Sequence, residues 1–160
     1  MAPTQEPTMH EEAPIGGGCQ CGTVRYALHM TPVRVHYCHC RMCQRATGNL
    51  FAALAGCAKD RFVWTRGTPA FFASSSLAQR GYCRDCGTPL SFAYDDAPWL
   101  YVTIGSLDDP GRSPPERHYG IESQVPWLRL DDALPREATA DDPRLHAMTI
   151  HQHREPRRGR

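Results

Sequence analysis

Seven of the eight cysteines in this chain fall into three tight groups, and this clustering constrains the fold more than any other sequence feature. The groups are Cys19-Gln-Cys21, Cys38-His-Cys40-Arg-Met-Cys43 and Cys83-Arg-Asp-Cys86-Gly87, and the eighth cysteine, Cys57, stands alone. In a reducing compartment, clustered cysteines are more often metal ligands or catalytic groups than disulfides. We therefore interpret the groups as metal ligands, provided that the protein is intracellular.

The ends and the charge of the chain agree with an intracellular protein. The first residues, MAPTQEPTMHEEAP, are acidic and proline-rich and lack the charged-then-apolar pattern of a leader. The longest apolar stretch, around residues 51–57, is far shorter than a bilayer span. A net charge of +1 gives no argument for an anionic membrane or a nucleic acid as partner. We expect a cytoplasmic protein with no membrane partner.

Two of the cysteine groups form a complete ligand set, which we call the quartet: Cys19, Cys21, Cys83 and Cys86. On an extended chain the two cysteines of C-x-C project from the same face. The C-x-x-C-G unit is typical of a zinc knuckle, in which a tight turn directs both thiolates inward and the glycine allows a positive φ. The quartet therefore predicts a closed, structural zinc site that ties the first strand to a later hairpin.

The remaining group, which we call the trio, consists of Cys38, Cys40 and Cys43. Three protein ligands and a vacant fourth position are typical of a reactive zinc site. The alternative is a closed site, whose fourth ligand would be one of four residues: Cys57, His36, His39 or His118. His39 is expected to point away from the metal, because it lies between two cysteines that point inward. Spacing alone supports the open and the closed site equally.

Short segments of alternating polarity predict a mainly β fold of small antiparallel sheets. The strand-like segments are TVRYALH, VRVHYC, RFVWT, AFFAS, QRGYC, PLSFAY and WLYVTIGSL. One helical turn is predicted over CRMCQRAT, where Gly48 ends it. Residues 1–14 are predicted to be a disordered arm, residues 15–137 the zinc-binding domain, and residues 138–160 a mostly disordered basic tail.

The motifs, in this order, resemble the glutathione-dependent formaldehyde-activating enzymes, which are grouped with centromere protein V on the Mss4-like "β-tent" fold. The matching segments are GGCQCGTVRY, YCHCRMCQRATG, the glycine of TRGTP, YCRDCGTPL, WLYVTIGSLDDP, HYGIESQVPWLRL and DDALPRE. The resemblance implies that the quartet holds a structural zinc and the trio a catalytic zinc, giving two zinc ions per chain, and that Cys57 is not a ligand. One segment, HYGIESQVPW, departs from the more apolar and basic family pattern at Gly120, Glu122 and Gln124.

The activity that the resemblance implies is the reversible condensation of glutathione with formaldehyde to S-(hydroxymethyl)glutathione, which is a carbon–sulfur lyase reaction. Arg41 and Arg45 are candidates for binding a carboxylate of glutathione. His118, or less favourably His36, is a candidate for moving the proton. The alternative is a non-catalytic zinc module that binds a protein or, through the basic tail, nucleic acid, although we expect such a tail to stay solvated.

Overall fold

A computed structural model of the chain describes residues 13–149, which form eleven strands and one α-helix. The strands are β1 Ile15–Gly18, β2 Arg25–Leu28, β3 Val33–Cys38, β4 Ala52–Ala58, β5 Phe62–Arg66, β6 Ala70–Ala73, β7 Ala78–Tyr82, β8 Pro89–Tyr94, β9 Trp99–Thr103, β10 Arg117–Tyr119 and β11 Arg136–Glu137. The helix, α1, spans Arg41–Thr47 and ends at Gly48, which has a φ of 62°. The mainly β class predicted from the alternating segments is confirmed.

The described strands form two sheets. A three-stranded antiparallel sheet has the order β1-β2-β5, and an eight-stranded sheet has the order β11-β10-β3-β4-β9-β8-β7-β6. Most pairs are antiparallel, but β10 runs parallel to both β3 and β11. A parallel pair requires a long connection between its strands, so nothing in the local sequence of β3 or β10 indicates that they are neighbours.

Strand β1 has the sequence IGGG and therefore carries no alternating pattern from which it could be predicted. The Tyr26 ring of the neighbouring strand β2 lies directly over Gly17 of this strand. A Cβ atom on Gly17 would overlap that ring. Only glycine at this position therefore allows β1 to pair with β2 while the Tyr26 side chain stays in the core.

The main core lies between the two sheets and takes buried side chains from both. Tyr26 at its centre packs on Phe62 and Trp64, with ring centroids 5.5 and 5.9 Å away. Its hydroxyl is hydrogen-bonded to Ser106 Oγ at 2.7 Å. Cys57 on β4 belongs to this core and is fully buried.

The segment after β11, which falls in the region predicted as a mostly disordered tail, is described as far as Thr149. It contains two short 3-10 turns, Thr139–Asp141 and Pro143–Leu145. Arg144 forms an ion pair of 2.9 Å with Asp96. The arm at residues 1–12 and the basic end at residues 150–160 lie outside the described residues. Within the described range, no helix is long and apolar enough to cross a membrane.

Candidate metal centres

The fold brings the four sulfur atoms of the quartet together, with every Sγ within 4.8 Å of the others. Cys19 and Cys21 lie in the turn between β1 and β2, while Cys83 and Cys86 lie between β7 and β8. The cluster therefore connects a hairpin of the three-stranded sheet with a hairpin of the eight-stranded sheet. The Sγ atoms of Cys21 and Cys83 are 3.7 Å apart. Four convergent thiols are the donor set of a closed tetrahedral zinc site, so the residues fit this metal.

Polar groups around the quartet stabilise negative charge on its sulfurs. The Val24 backbone N–H donates to Cys19 Sγ at 3.2 Å. A hydrogen bond with the Thr88 hydroxyl is the main cause that lowers the pKa of Cys86 to about 5. Gly87, with a φ of 76°, closes the turn, as the C-x-x-C-G pattern predicts.

The sulfur atoms of the trio form a second cluster, again with every Sγ within 4.8 Å of the others. Cys38 ends β3, Cys40 is the N-cap residue of α1, and Cys43 lies in the first turn of that helix. The Sγ atoms of Cys38 and Cys40 are 3.4 Å apart, and the Cys43 backbone N–H donates to Cys40 Sγ at 3.4 Å. The strand-to-helix junction thus folds three thiols onto one point, as a thiolate-bound metal requires.

Two residues outside the cysteine motif hold this junction in place. Gly120, with a φ of 68°, lies so close to Cys40 that a Cβ atom there would be 2.8 Å from the Cys40 backbone nitrogen. The buried Gln44 amide donates to the His39 carbonyl at 2.8 Å and to the Ser123 carbonyl at 2.9 Å. These contacts fasten the 120–123 segment to the trio, and the spacing of the cysteines gave no indication of them.

Arg80 on β7 is a further residue that the sequence did not single out. Its Nη2 lies 3.4 Å from Cys43 Sγ, and its guanidinium stacks on the Phe92 ring at 4.7 Å. The pKa of Cys43 is held well below its usual value, first by the thiols of Cys38 and Cys40 and then by the charge of Arg80. The only feature of the sequence that could have indicated an inward-facing Arg80 is its spacing of two from Ala78, which places both residues on one face of the strand; Ala78 is buried.

None of the four residues considered as a fourth ligand joins the trio among the described residues. Cys57 lies in the main core, where its Sγ contacts the Ala58 carbonyl at 3.4 Å. His36 Nδ1 is 2.8 Å from the Arg34 carbonyl oxygen. The side chains of His39 and His118 are hydrogen-bonded to each other. The trio is therefore a set of three thiols without a fourth protein donor in the described range.

A chain of hydrogen-bonded side chains connects the buried His39 and His118 to the partly exposed Asp132. His39 Nε2 is 2.7 Å from His118 Nδ1, and His118 Nε2 is 2.7 Å from Asp132 Oδ2. Both rings are fully buried, and burial is the main cause that lowers the pKa of His39 to about 4. His39 thus points away from the sulfurs, as expected, while both ring nitrogens of His118 are already engaged by protein groups.

The two arginines proposed from the sequence lie on α1, whose first turn carries Cys43, and both side chains are exposed. The Arg41 guanidinium donates to the Gln44 side-chain oxygen. The segment that departs from the family pattern borders a groove of about 670 Å³, whose lining includes Gln124 and Arg136. Arg136 also donates to Gln124 Oε1 at 2.9 Å.

Comparison with known proteins finds a family match and two relatives. The family model of the glutathione-dependent formaldehyde-activating enzymes matches residues 14–123. An uncharacterized lyase of Schizosaccharomyces pombe is 32% identical over 98 residues, which cover 57% of this chain and 71% of that protein. A Rhodobacter sphaeroides protein of known crystal structure aligns with a TM-score of 0.45 at 22% identity, covering 59% of this chain and 88% of that chain. The matched range of the family model contains every residue of the quartet and of the trio.

Proposed function

This chain belongs to the glutathione-dependent formaldehyde-activating enzyme family, and from that premise we propose that it is a zinc-dependent carbon–sulfur lyase that forms or cleaves a thiol–aldehyde adduct at the trio. One observation carries the proposal: three thiols converge at the trio, and no described residue supplies a fourth donor. The quartet, in contrast, has four donors and suits a structural zinc. We therefore propose two zinc ions per chain with different roles.

The proposed reaction joins glutathione to formaldehyde. The thiol sulfur attacks the carbonyl carbon, a carbon–sulfur bond forms, and the thiol proton ends on the former carbonyl oxygen as the hydroxyl of the hydroxymethyl group. The reverse reaction breaks the same bond and returns the proton to sulfur. No electrons are transferred to an outside acceptor, so no redox cofactor is needed.

A zinc ion at the trio would supply a Lewis acid that lowers the pKa of a thiol or hydroxyl at the vacant position. The protein contributes the geometry of the three sulfurs. Gly120 and Gln44 hold the Cys38–Cys43 junction. Cys38 and Cys43 are both less than 5% exposed, whereas Cys40 is partly exposed, so water has little access to two of the three thiols. Preorganisation of this kind avoids the cost of rearranging the ligands during the reaction.

Other residues are assigned supporting roles in the same proposal. Arg41 and Arg45 lie on the helix of Cys43 and carry exposed side chains that suit a substrate carboxylate. His118 has both nitrogens bound to protein partners, so we assign it a positioning role: it fixes His39, which lies between two of the metal ligands. Asp132, at the end of this chain of hydrogen bonds, orients the His118 ring.

The experiment compares Cys40→Ser with the matched control Cys57→Ser. Zinc per chain is measured, and adduct formation from glutathione and formaldehyde is followed by NMR, with cysteine and 2-mercaptoethanol as other thiols. We expect Cys40→Ser to lose more than about 100-fold in activity. Replacing a residue that only hydrogen-bonds to a metal ligand already lowers metal affinity or activity about 10- to 100-fold. Cys57→Ser should keep both zinc ions and the activity.

Unchanged activity and unchanged zinc content in Cys40→Ser would overturn the proposal. A wild-type protein that holds both zinc ions but turns over none of the thiols would support the non-catalytic zinc module instead. Turnover of another thiol but not of glutathione would keep the lyase chemistry and reject glutathione as the substrate.

A further inference from the structure

Arg80 brings a positive charge to the trio from a distant part of the chain. Its Nη2 is 3.4 Å from Cys43 Sγ, although the two residues are separated by 37 positions. The side chain is fixed from the other side as well, because its guanidinium lies 4.7 Å from the centre of the Phe92 ring. Arg80 and Phe92 are directly paired in the register of β7 and β8, so the sheet itself determines where the guanidinium lies.

The same guanidinium has an unused donor. Among the described residues, Arg80 Nε is buried and has no hydrogen-bond partner. A buried donor without a partner costs free energy, which is recovered when an acceptor binds beside it. A planar guanidinium is also well suited to an anion, because its N–H groups point in fixed directions. Arg80 therefore brings a positive charge next to Cys43 and carries a donor that no described residue satisfies.

The charge balance of the trio shows why this matters. Three thiolates around a divalent cation leave one net negative charge, and a fourth, anionic ligand would raise it to two. In a partly buried site such a charge is unfavourable unless a cation lies close by. A neutral fourth ligand adds no charge and does not need this compensation.

We propose that Arg80 determines which ligands the trio accepts: it makes the three-cysteine metal site bind an anionic thiolate in preference to a neutral ligand. The proposal rests on the proposed function in one respect, since it requires a metal at the trio with an open position. It goes beyond that function because it assigns the selection of the reactive form of the thiol to a residue outside the metal ligands. Arg80 acts through its charge together with the fixed N–H groups of its guanidinium, and it is a specificity-determining residue.

The test uses protein loaded with Co²⁺, which occupies tetrahedral thiolate sites and reports its ligands by absorption. Glutathione serves as the anionic probe and imidazole as the neutral one, and each is titrated at constant pH. The quartet has no open position, so changes in the spectrum report the trio. Arg80→Gln removes the charge. Arg80→Lys keeps the charge but lacks the planar guanidinium and its fixed N–H groups. Arg34→Gln is the matched control, since the Arg34 guanidinium stacks on Trp99 at 4.6 Å in the same manner.

We expect Arg80→Gln to weaken the binding of glutathione about 10- to 100-fold, which is typical of losing a hydrogen bond to a charged group. Imidazole should bind within about twofold of wild type, because a neutral ligand gains little from the charge. Arg80→Lys should lie between wild type and Arg80→Gln for glutathione, and Arg34→Gln should match wild type for both probes.

Three results would overturn the inference. Equal affinities of wild type and Arg80→Gln for glutathione would reject it and leave the proposed function intact. Equal losses for both probes would show that Arg80 only supports the local structure. A wild-type protein that binds neither probe would reject the open site, and with it both proposals. If Arg80→Gln does not retain cobalt at the trio, Arg80→Lys decides: a loss confined to glutathione supports the inference, and no loss or an equal loss for both probes rejects it.

Discussion

Replacing Gly120 by alanine should displace Cys40 and weaken metal binding at the trio, although Gly120 is not itself a ligand. Two features of this position are unfavourable for any side chain. Its φ is 68°, in the left-handed region that residues with a Cβ atom rarely adopt. A Cβ atom there would also lie 2.8 Å from the backbone nitrogen of Cys40 and 3.0 Å from its Cβ. The nearest atoms are backbone and the first side-chain carbon, which cannot rotate away.

The two effects can be separated by comparison with Gly48, the residue that ends α1. Gly48 has a similar φ of 62°, but nothing lies within 4 Å of the Cβ that alanine would add. Gly48→Ala should therefore cost only the backbone strain, about 1–2 kcal/mol. Gly120→Ala should cost the same strain and about 1–3 kcal/mol more for overpacking against Cys40. The expected difference between the two variants is thus about 1–3 kcal/mol.

The assay is urea unfolding of the metal-loaded variants, together with metal per chain after dialysis against a weak chelator. Gly120→Ala should be the less stable variant and should lose metal from the trio first, while Gly48→Ala should keep its metal. The reasoning is refuted if the free energies of unfolding of the two variants differ by less than about 0.5 kcal/mol and both retain full metal. Ordinary surface substitutions change stability by about this amount.

Three further predictions concern single contacts. Tyr26→Phe should lower the free energy of unfolding by about 1 kcal/mol, because it removes one buried hydrogen bond while Ser106 still donates to the Thr103 carbonyl; urea unfolding measures this, and no change would show that the bond contributes nothing. Cys57→Ala should leave the metal content unchanged, since Cys57 Sγ lies outside both clusters; a lost metal in elemental analysis would contradict this. Arg25 donates to Asp108 and holds its pKa below the usual value, so the pair stabilises the protein above the ordinary carboxyl pKa and loses this effect as the pH falls. Because both side chains are partly exposed, Asp108→Asn should cost only about 0.5 kcal/mol at neutral pH, and the difference from wild type in urea unfolding should shrink towards pH 3; a constant difference would contradict it.

The features that the sequence predicted are those determined by neighbouring residues. The cysteine spacings indicated both clusters, because C-x-C and C-x-x-C each place their own thiols together. The two distant pairs of the quartet could be assigned to one site because each pair supplies half of a four-ligand set. The helical turn and its end at Gly48 also follow from local pattern and agree with α1. The resemblance to the formaldehyde-activating family, based on the same motifs, is confirmed by the match over residues 14–123.

The features that the sequence did not predict depend on which distant segments meet. Arg80 reaches Cys43 only because β7 and α1 are brought together by the sheets, and no local pattern contains that information. The hydrogen-bonded chain from His39 through His118 to Asp132 requires the parallel pairing of β3 and β10. Cys57 illustrates the same limit: spacing allowed it as a fourth ligand, whereas its pairing with Leu100 on β9 places it in the main core.

The central claim is that the trio is an open three-cysteine zinc site, and zinc X-ray absorption tests it most directly. With one four-sulfur and one three-sulfur site per chain, the account predicts two zinc ions and an average of about 3.5 sulfur ligands per zinc. Adding glutathione should raise this average towards 4, because a fourth sulfur enters the trio. An average of 4 before any thiol is added, or a nitrogen ligand that glutathione does not displace, would show a closed site and contradict the account.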